Sequence, residues 1–577
     1  MVLENLWCNF MTKEELKNKI SELVEGEVFD DEETLKLYSK DASLFEVRPS
    51  VVVWPKGAND VKRVVKFVAK KKKEEPEENK NLSVTVRAAG SCMSGGSLSE
   101  SIILDVSKHL NNFSVSADKA VAEVEPGVFY RDFEKETLKN NLILPCYTAS
   151  KNLCALGGMI GNNAAGEKTL RYGKMEDYIE ELTVVLCDGE EHTFRAESRV
   201  EALKKSHEHN FEGEIYQYIS ALIDRNREVI NSSKPKVSKN SAGYYLWNVE
   251  RNGLFDLTRL IVGSQGTLGI VTKAKIKLVP VKPKSKLLVV FLNSLENLGD
   301  IINVMLKKNP ESIESYDDST IKLAVRFAPE MMKLMKAKNA LKLFFSFLPE
   351  AWMILTGGAP KLILLVEFVG ESEPEIDIQA KDLENELRRL NLSLPRLNLR
   401  TRLTSDVADA EKYWTIRRES FNLLRQHIKG KRTAPFIDDV CVNPVYLPQF
   451  LPRLRKILDE AKIVYTIAGH AGNGNFHIIP LMNMKEEHNR ELITELSDKV
   501  YDLVGEYKGT ITAEHNDGIV RTPYLGKMFS PEMLALFEQT KKIFDPDNIF
   551  NPGKKVPSSS TDGSGTVKYM MSHLARE

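Results

Sequence analysis

Apolar positions along the chain fall into short alternating runs in the first half and longer strand and helix patterns in the second. Leu16, Ile20 and Leu23, then Leu35, Leu37 and Tyr38, recur at helical spacing and predict an amphipathic lead-in over residues 13–45. The run Ser50–Trp54 reads as a strand, Pro55-Lys-Gly57 as a turn, and Asn59 or Asp60 can cap a helix whose Val61, Val64, Val65 and Val68 share one face. Lys70–Lys80 reads as a solvated loop. Ser83–Arg87, Ile102–Asp105 and Ala120–Glu125 alternate as strands, Phe129, Phe133 and Leu138 mark a helix, and Leu260–Val262 and Ala274–Val279 close the series as strands. The pattern restarts with a strand at Lys286–Phe291, a helix at Leu295–Lys308, a strand at Leu362–Phe368 and a charged helix at Ile378–Leu390, for which Glu375, Asp377 and Glu384 give the solvated face.

Three stretches interrupt this pattern with small residues. Ala88-Ala-Gly-Ser-Cys-Met-Ser-Gly-Gly96 opens directly from a strand, where backbone N–H groups can approach a phosphate. Thr148-Ala-Ser150 and Gly157-Gly-Met-Ile-Gly-Asn-Asn-Ala-Ala-Gly166 follow, and Gly263-Ser-Gln-Gly-Thr-Leu-Gly269 makes the third. Residues without bulky side chains cannot fill a core. Set at strand ends and far apart in sequence, these turns suit one elongated ligand of dinucleotide length, held from several sides.

Composition narrows the partners. The chain has 577 residues, more than one ordinary core needs, and 80 basic against 81 acidic residues leave a net charge of −1, which gives no electrostatic case for nucleic acid. Cys8, Cys92, Cys146, Cys154, Cys187 and Cys441 are scattered, without the spacing of a disulfide framework or iron–sulfur site, which predicts a reducing, cytoplasmic setting. Met1–Lys19 lacks the pattern of a targeting segment, and no window of eighteen apolar residues occurs. Residues 340–355, preceded by Lys333, Lys336 and Lys338, read as a core-packed helical insertion, with peripheral contact at the inner face of a membrane as the second reading.

Near the C-terminal end, His470-Ala-Gly-Asn-Gly-Asn-Phe-His477 places two imidazoles on either side of a Gly/Asn turn, suited to a strand, a tight turn and a returning strand. With Glu514, held by a strand expected at Gly509–Ala513, His470 and His477 form a two-nitrogen, one-carboxylate set for Zn²⁺, Mn²⁺ or Fe²⁺, with positions left open. His515, beside it, is poised near neutral pH to accept a proton.

Together the three small-residue stretches, Arg171-Tyr-Gly173, the His470–His477 segment and Asn551-Pro-Gly-Lys554 resemble the FAD-linked 2-hydroxyacid dehydrogenases of the vanillyl-alcohol oxidase superfamily, from about Tyr38 to Lys554. The resemblance implies an α+β chain: a PCMH-type FAD-binding domain of two α/β subdomains (46–282) after the lead-in, then a C-terminal cap with an antiparallel sheet and helices (283–556), carrying the 328–356 insertion and followed by a flexible tail (557–577). It implies that Ala89, Gly90, Ser91, Cys92, Met93, Ser94 and Gly95 hold the pyrophosphate, that Thr148, Gly157, Gly158, Gly161, Asn162, Ala164, Gly166 and Ile270 line the rest of FAD, and that Asn551 returns to it. Ser91 stands where covalent relatives often have histidine, so non-covalent FAD is expected; Gln265 stands where many relatives carry Glu.

The family's W-x-x-R pattern, matched by Trp414 to Arg417, implies that Arg417 grips a substrate carboxylate as a two-pronged donor, while Arg418 makes a surface ion pair. The implied reaction is oxidation of a D-2-hydroxy acid of the lactate, glycolate or 2-hydroxyglutarate type, with hydride passing to flavin N5, the divalent metal acidifying the hydroxyl and His515 as base. The implied partners are a small 2-hydroxy acid, a separate electron acceptor (a quinone, an electron-transfer flavoprotein or an iron–sulfur protein) and further copies of the chain. Ile437 and Ile479 hold places where 2-hydroxyglutarate enzymes carry polar groups, leaving Lys431, Arg432 or Arg521 as stand-ins for binding a second carboxylate. The alternative is a non-redox FAD transferase of the alkylglycerone-phosphate synthase type, which would not require the metal set.

Overall fold

The computed structural model describes residues 11–326, 358–394, 397–427, 431–558 and 564–576, with side chains beyond the backbone omitted for 323–326 and 420–427. The insertion expected at 328–356 lies outside the described residues. Among the described residues no helix is long and apolar enough to cross a membrane.

Three large sheets organise the described residues, beside a two-stranded pairing of Leu142–Ile143 with Val279–Pro280. The first has four strands in the order Glu27–Phe29, Val51–Trp54, Ile102–Asp105, Val84–Arg87, with the last two contacts parallel. Its helix, Ala58–Glu74, buries Val61, Val64, Val65 and Val68 completely, each worth on the order of 1.5–3 kcal/mol relative to exposure. The second sheet is a seven-stranded antiparallel layer in which Ile270–Lys277 pairs with Ile179–Val185 and Val121–Val124. The third, eight-stranded and antiparallel, runs Leu399–Leu403, Lys284–Leu292, Leu362–Gly370, Ser312–Asp317, Val464–His470, Asn475–Met482, Arg432–Thr433, with Val440–Cys441 also on Asn475–Met482.

The third sheet carries the site. Strand side chains alternate between faces, and one face packs a large core with helices Leu298–Leu306, Glu373–Ser393, Leu447–Glu460 and Glu487–Glu506. On the other face Leu287, Val289, Phe291, Ile363 and Leu365 form a smaller apolar patch under Tyr413 and Trp414 of helix Val407–His427. Glu314, Ala468, His470 and His477 continue that second face beyond the patch.

Several expectations change. The lead-in helices, Lys13–Leu23 and Glu32–Tyr38, bury Leu16, Ile20, Leu35 and Tyr38, but Leu23 and Leu37 face solvent. The segment also belongs to the first sheet, for Glu27–Phe29 pairs with Val51–Trp54 and the Tyr38 hydroxyl donates to Asp105 at 2.5 Å. The lysine-rich run starts as helix, and Lys72 turns inward to donate to the carbonyls of Asp547 and Asn548. Leu260–Val262 is not a strand; Thr258–Ile261 is a helical turn. The tail is no loose end over 564–576: helix Val567–Ser572 buries Tyr569 and Met570, and Leu574 and Ala575 bond back to Phe45 and Leu44.

Candidate active site

A deep cleft runs between the small-residue stretches and the exposed face of the third sheet. One wall is backbone. Ala89, Gly90, Ser91, Cys92, Met93, Thr148, Gly157, Gly158, Gly161, Asn162 and Ala164 all line it. The Gly157–Gly166 stretch opens as a short helix, Leu156–Asn162, rather than a turn. Its glycines divide the work. A side chain at Gly157 would strike Pro126 at 2.6 Å, so that glycine serves close packing, whereas a Cβ at Gly158 or Gly161 would meet its nearest protein atom at 3.9 Å, ordinary contact distance, on the wall of the cleft. This is a cradle sized by absent side chains, as a planar cofactor requires.

Five expected cofactor residues lie one layer behind. Ser94 accepts from Gln265 Nε2 at 3.2 Å, and its carbonyl takes the Ile519 N–H. Gly95 abuts Phe45 and Ile519. The Gly166 carbonyl accepts from Lys239, and Ile270 is wholly buried in the core of the first sheet. Asn551 bonds Thr85 and the carbonyls of Gly96 and Gln265, tying two of the small-residue stretches together. They shape the wall because their own polar groups or side chains are spent on the protein. Gln265, with φ +54°, bridges Ser94, Asn162 and the Gly518 N–H, a neutral clamp where a carboxylate could not donate.

The opposite wall is charged. Strands Val464–His470 and Asn475–Met482 form the expected hairpin, turning through Ala471–Asn473 and Gly474 at φ +72°, and bring the two imidazoles together at 5.3 Å between ring centres. Glu514 completes the set: its Oε1 lies 3.4 Å from His470 Nε2 and 3.3 Å from His477 Nε2. No strand holds Glu514. Instead Asp439 Oδ2 accepts the consecutive backbone N–H groups of Ala513, Glu514 and His515 at 2.7–2.8 Å, folding the loop around one carboxylate. Lys239, fully buried, donates to Glu514 Oε2 at 2.9 Å, leaving Oε1 toward the histidines. Neither Asp439 nor Lys239 stood out in the sequence, since their partners are 74 to 76 and 275 residues away.

The proton inventory argues for a cation here. His477 Nδ1 lies 3.1 Å from the Asp438 carbonyl, which can only accept, so Nδ1 carries the hydrogen. Burial holds the His477 pKa below its ordinary value, so the ring is neutral and Nε2 presents a lone pair to a carboxylate oxygen. Glu514 itself stays ionised: burial opposes this, but Lys239 and His470 hold its pKa well below the usual range. Burial opposes charging His470, but Glu314 and Glu514 raise its pKa, so without a cation its Nε2–H faces Glu514, whereas His477 Nε2 and Glu514 Oε1 face each other as two acceptors. A cation replacing the His470 proton satisfies all three, and the donor set suits Zn²⁺, Mn²⁺ or Fe²⁺.

His515 stacks on His477 at 5.2 Å, and its Nδ1 bonds Asp438 Oδ2 at 2.8 Å. Burial opposes charging this ring, but Asp438 and Asp439 outweigh it and raise its pKa to about 9, above the near-neutral value expected; a dication on the neighbouring ligands would act in the opposite direction. Asp438 is itself balanced by Arg521, a fully buried guanidinium paired with its other oxygen. Arg417 lines the cleft from helix Val407–His427, its Nη2 3.0 Å from Glu314 Oε2 and its Nε without a hydrogen-bond partner. Arg418 pairs with Glu167 at 2.9 Å and lies over Trp414. Of the stand-ins for a second carboxylate, Arg521 is spent on Asp438, Arg432 donates to the Ser43 carbonyl, and neither they nor Lys431 line the cleft; Ile479 does, whereas Ile437 is core.

Comparison with known proteins fits this division into two walls. A model described as "FAD binding domain" matches residues 49–195, and one described as "FAD linked oxidases, C-terminal domain" matches residues 282–555. The two matches fall on the two walls of the cleft. The chain is 26% identical over 529 residues to the D-2-hydroxyglutarate dehydrogenase of Escherichia coli, covering 91% of this chain and 50% of that one. The chain thus spans about half the length of the D-2-hydroxyglutarate dehydrogenases it matches. To the D-lactate dehydrogenase of Archaeoglobus fulgidus it is 26% identical, covering 88% of this chain and 91% of the relative. The structure of p-cresol methylhydroxylase with substrate bound superposes with a TM-score of 0.65 at 15% identity, covering 94% of this chain and 96% of that one, which establishes the PCMH-type fold with its C-terminal domain.

Proposed function

We propose that the chain is a dehydrogenase that oxidises a small D-2-hydroxy acid to the 2-oxo acid. One observation carries the reading: the bare wall of an FAD-binding domain and the set His470, His477, Glu514, His515 and Arg417 line the same cleft. Bound FAD supplies a two-electron acceptor for the Cα hydrogen, and a divalent cation on His470, His477 and Glu514 supplies a Lewis acid for the hydroxyl. Arg417 binds and orients the substrate carboxylate through its Nε edge, the side of the fork not engaged by Glu314. His515 takes the hydroxyl proton, and Asp438 on its Nδ1 stabilises the resulting imidazolium. A non-redox transferase has no need of this triad.

The test is anaerobic mixing of the cation-loaded holoenzyme with D and L forms of lactate and 2-hydroxyglutarate and with glycolate, following loss of the oxidised flavin band. Reduction by the D acids is expected, and no reduction by any of them ends the reading. His515→Ala should keep its flavin yet lose at least about 100-fold in the reduction rate, the usual scale for a general base.

A further inference from the structure

Glu314 stands between the two halves of the proposed chemistry. It lies in strand Ser312–Asp317, is 2% exposed, and faces His470 across the pairing with Val464–His470. Its Oε1 takes the His470 Nδ1 hydrogen at 2.5 Å, and its Oε2 faces Arg417 Nη2 at 3.0 Å. The two oxygens share one rigid plane, so the imidazole and the guanidinium are held in a fixed relation. When His470 binds a cation, the Nδ1–H bond to Glu314 leaves the other nitrogen, Nε2, facing Glu514 as the ligand atom, and a carboxylate in this position makes that nitrogen a better ligand. On the far side, Arg417 Nε is buried and without a partner, a donor kept for an incoming carboxylate.

We propose that Glu314 is a positioning residue that couples the cation site to the carboxylate anchor, so that a change at Arg417 is felt at His470 through one side chain. Burial alone would not produce this arrangement. A carboxylate serving only to neutralise Arg417 would turn both oxygens to the guanidinium fork, whereas here each is committed to a different functional group. The proposal rests on the reading that His470, His477 and Glu514 hold a divalent cation.

The experiment measures Zn²⁺ affinity of the flavin-loaded protein by equilibrium dialysis, without substrate, in four forms: wild type, Glu314→Gln, Arg417→Met and the double variant. Glu314→Gln should weaken Zn²⁺ binding 10- to 100-fold, the scale known for removing the carboxylate behind a metal-bound histidine. Arg417 touches none of the three ligands, yet Arg417→Met should shift Zn²⁺ affinity by about threefold or more in the wild-type background, and the same substitution should produce no shift when added to Glu314→Gln. Unchanged affinity in Glu314→Gln, or an Arg417→Met shift of the same size in the Glu314→Gln background as in wild type, overturns the coupling while leaving the cation site standing. A wild-type protein that binds no Zn²⁺ removes the cation reading itself, and the coupling with it. If Glu314→Gln does not retain flavin, Arg417→Met decides alone, and unchanged Zn²⁺ affinity there overturns the proposal.

Discussion

The two walls of the cleft are built by opposite means. The FAD-binding wall works by subtraction: Gly158 and Gly161 leave space, and the polar groups behind them, Ser94, Gln265 and Asn551, are satisfied by one another. The wall on the third sheet works by addition, packing Glu314, Asp438, Asp439 and Glu514 against Lys239, Arg417 and Arg521 in a buried, interlocked set. Subtraction leaves the fold nearly indifferent to the ligand. Addition does not, because each buried charge depends on its partner.

Substitutions at the two walls should therefore fail differently. The largest effect is expected at the bare wall: Gly161→Leu fills the cradle and should abolish flavin retention during purification, while the folded protein persists with an unfolding midpoint near that of flavin-free wild type. Leucine is a better helix former than glycine by about 0.5–1 kcal/mol, so the cofactor-free variant should be no less stable. At the charged wall, Arg521→Met leaves the fully buried Asp438 with His515 alone to balance it and should cost about 3 kcal/mol or more in urea unfolding, flavin present or not. If Gly161→Leu instead unfolds the protein, or Arg521→Met leaves stability unchanged, the distinction between the walls collapses.

The smallest effect lies where the walls meet. Glu367 is held with Glu167, Lys168, Glu311 and Arg418; burial raises its pKa to about 7, Lys168 pulls it down, and Glu167 and Glu311 push it further up. Its folded pKa exceeds the ordinary 4.5, so the folded state holds the proton more tightly. Stability is complete below the ordinary value and falls as pH rises from about 4.5 through 7. Glu367→Gln should remove that fall, gaining on the order of 1–3 kcal/mol on wild type across this window and no more above it, as read from denaturation at successive pH values.

Subtraction is easy to read in a sequence, since runs of glycine and alanine between strands are conspicuous. Eleven of the sixteen expected cofactor residues line the cleft for that reason. The five that do not, such as Ile270 and Asn551, sit beside lining residues, and spacing alone does not say which neighbour faces inward. The hairpin of His470 and His477 was also legible, because two strands and a Gly/Asn turn are local. What held Glu514 was not: the expected strand is a loop gathered by Asp439, and Glu314, Lys239 and Arg521 reach the site only through tertiary contacts. Helix 258–261 was misread as a strand because a short apolar run has no period of its own.

The strap at 564–576 and the segment around Asn551 carry a consequence for how the molecule comes into being. Thr85 meets Asn551 across 466 residues, and Phe45 pairs with Leu574 over a still longer span. The strand that opens onto the first small-residue turn has one neighbour close in sequence, Ile102–Asp105, and gains the other, the segment around Asn551, only after residue 551 has been made. Such long loops are closed late and slowly. The flavin-binding wall is therefore completed only after the segment around Asn551 has been synthesised and has returned to residues 84–96.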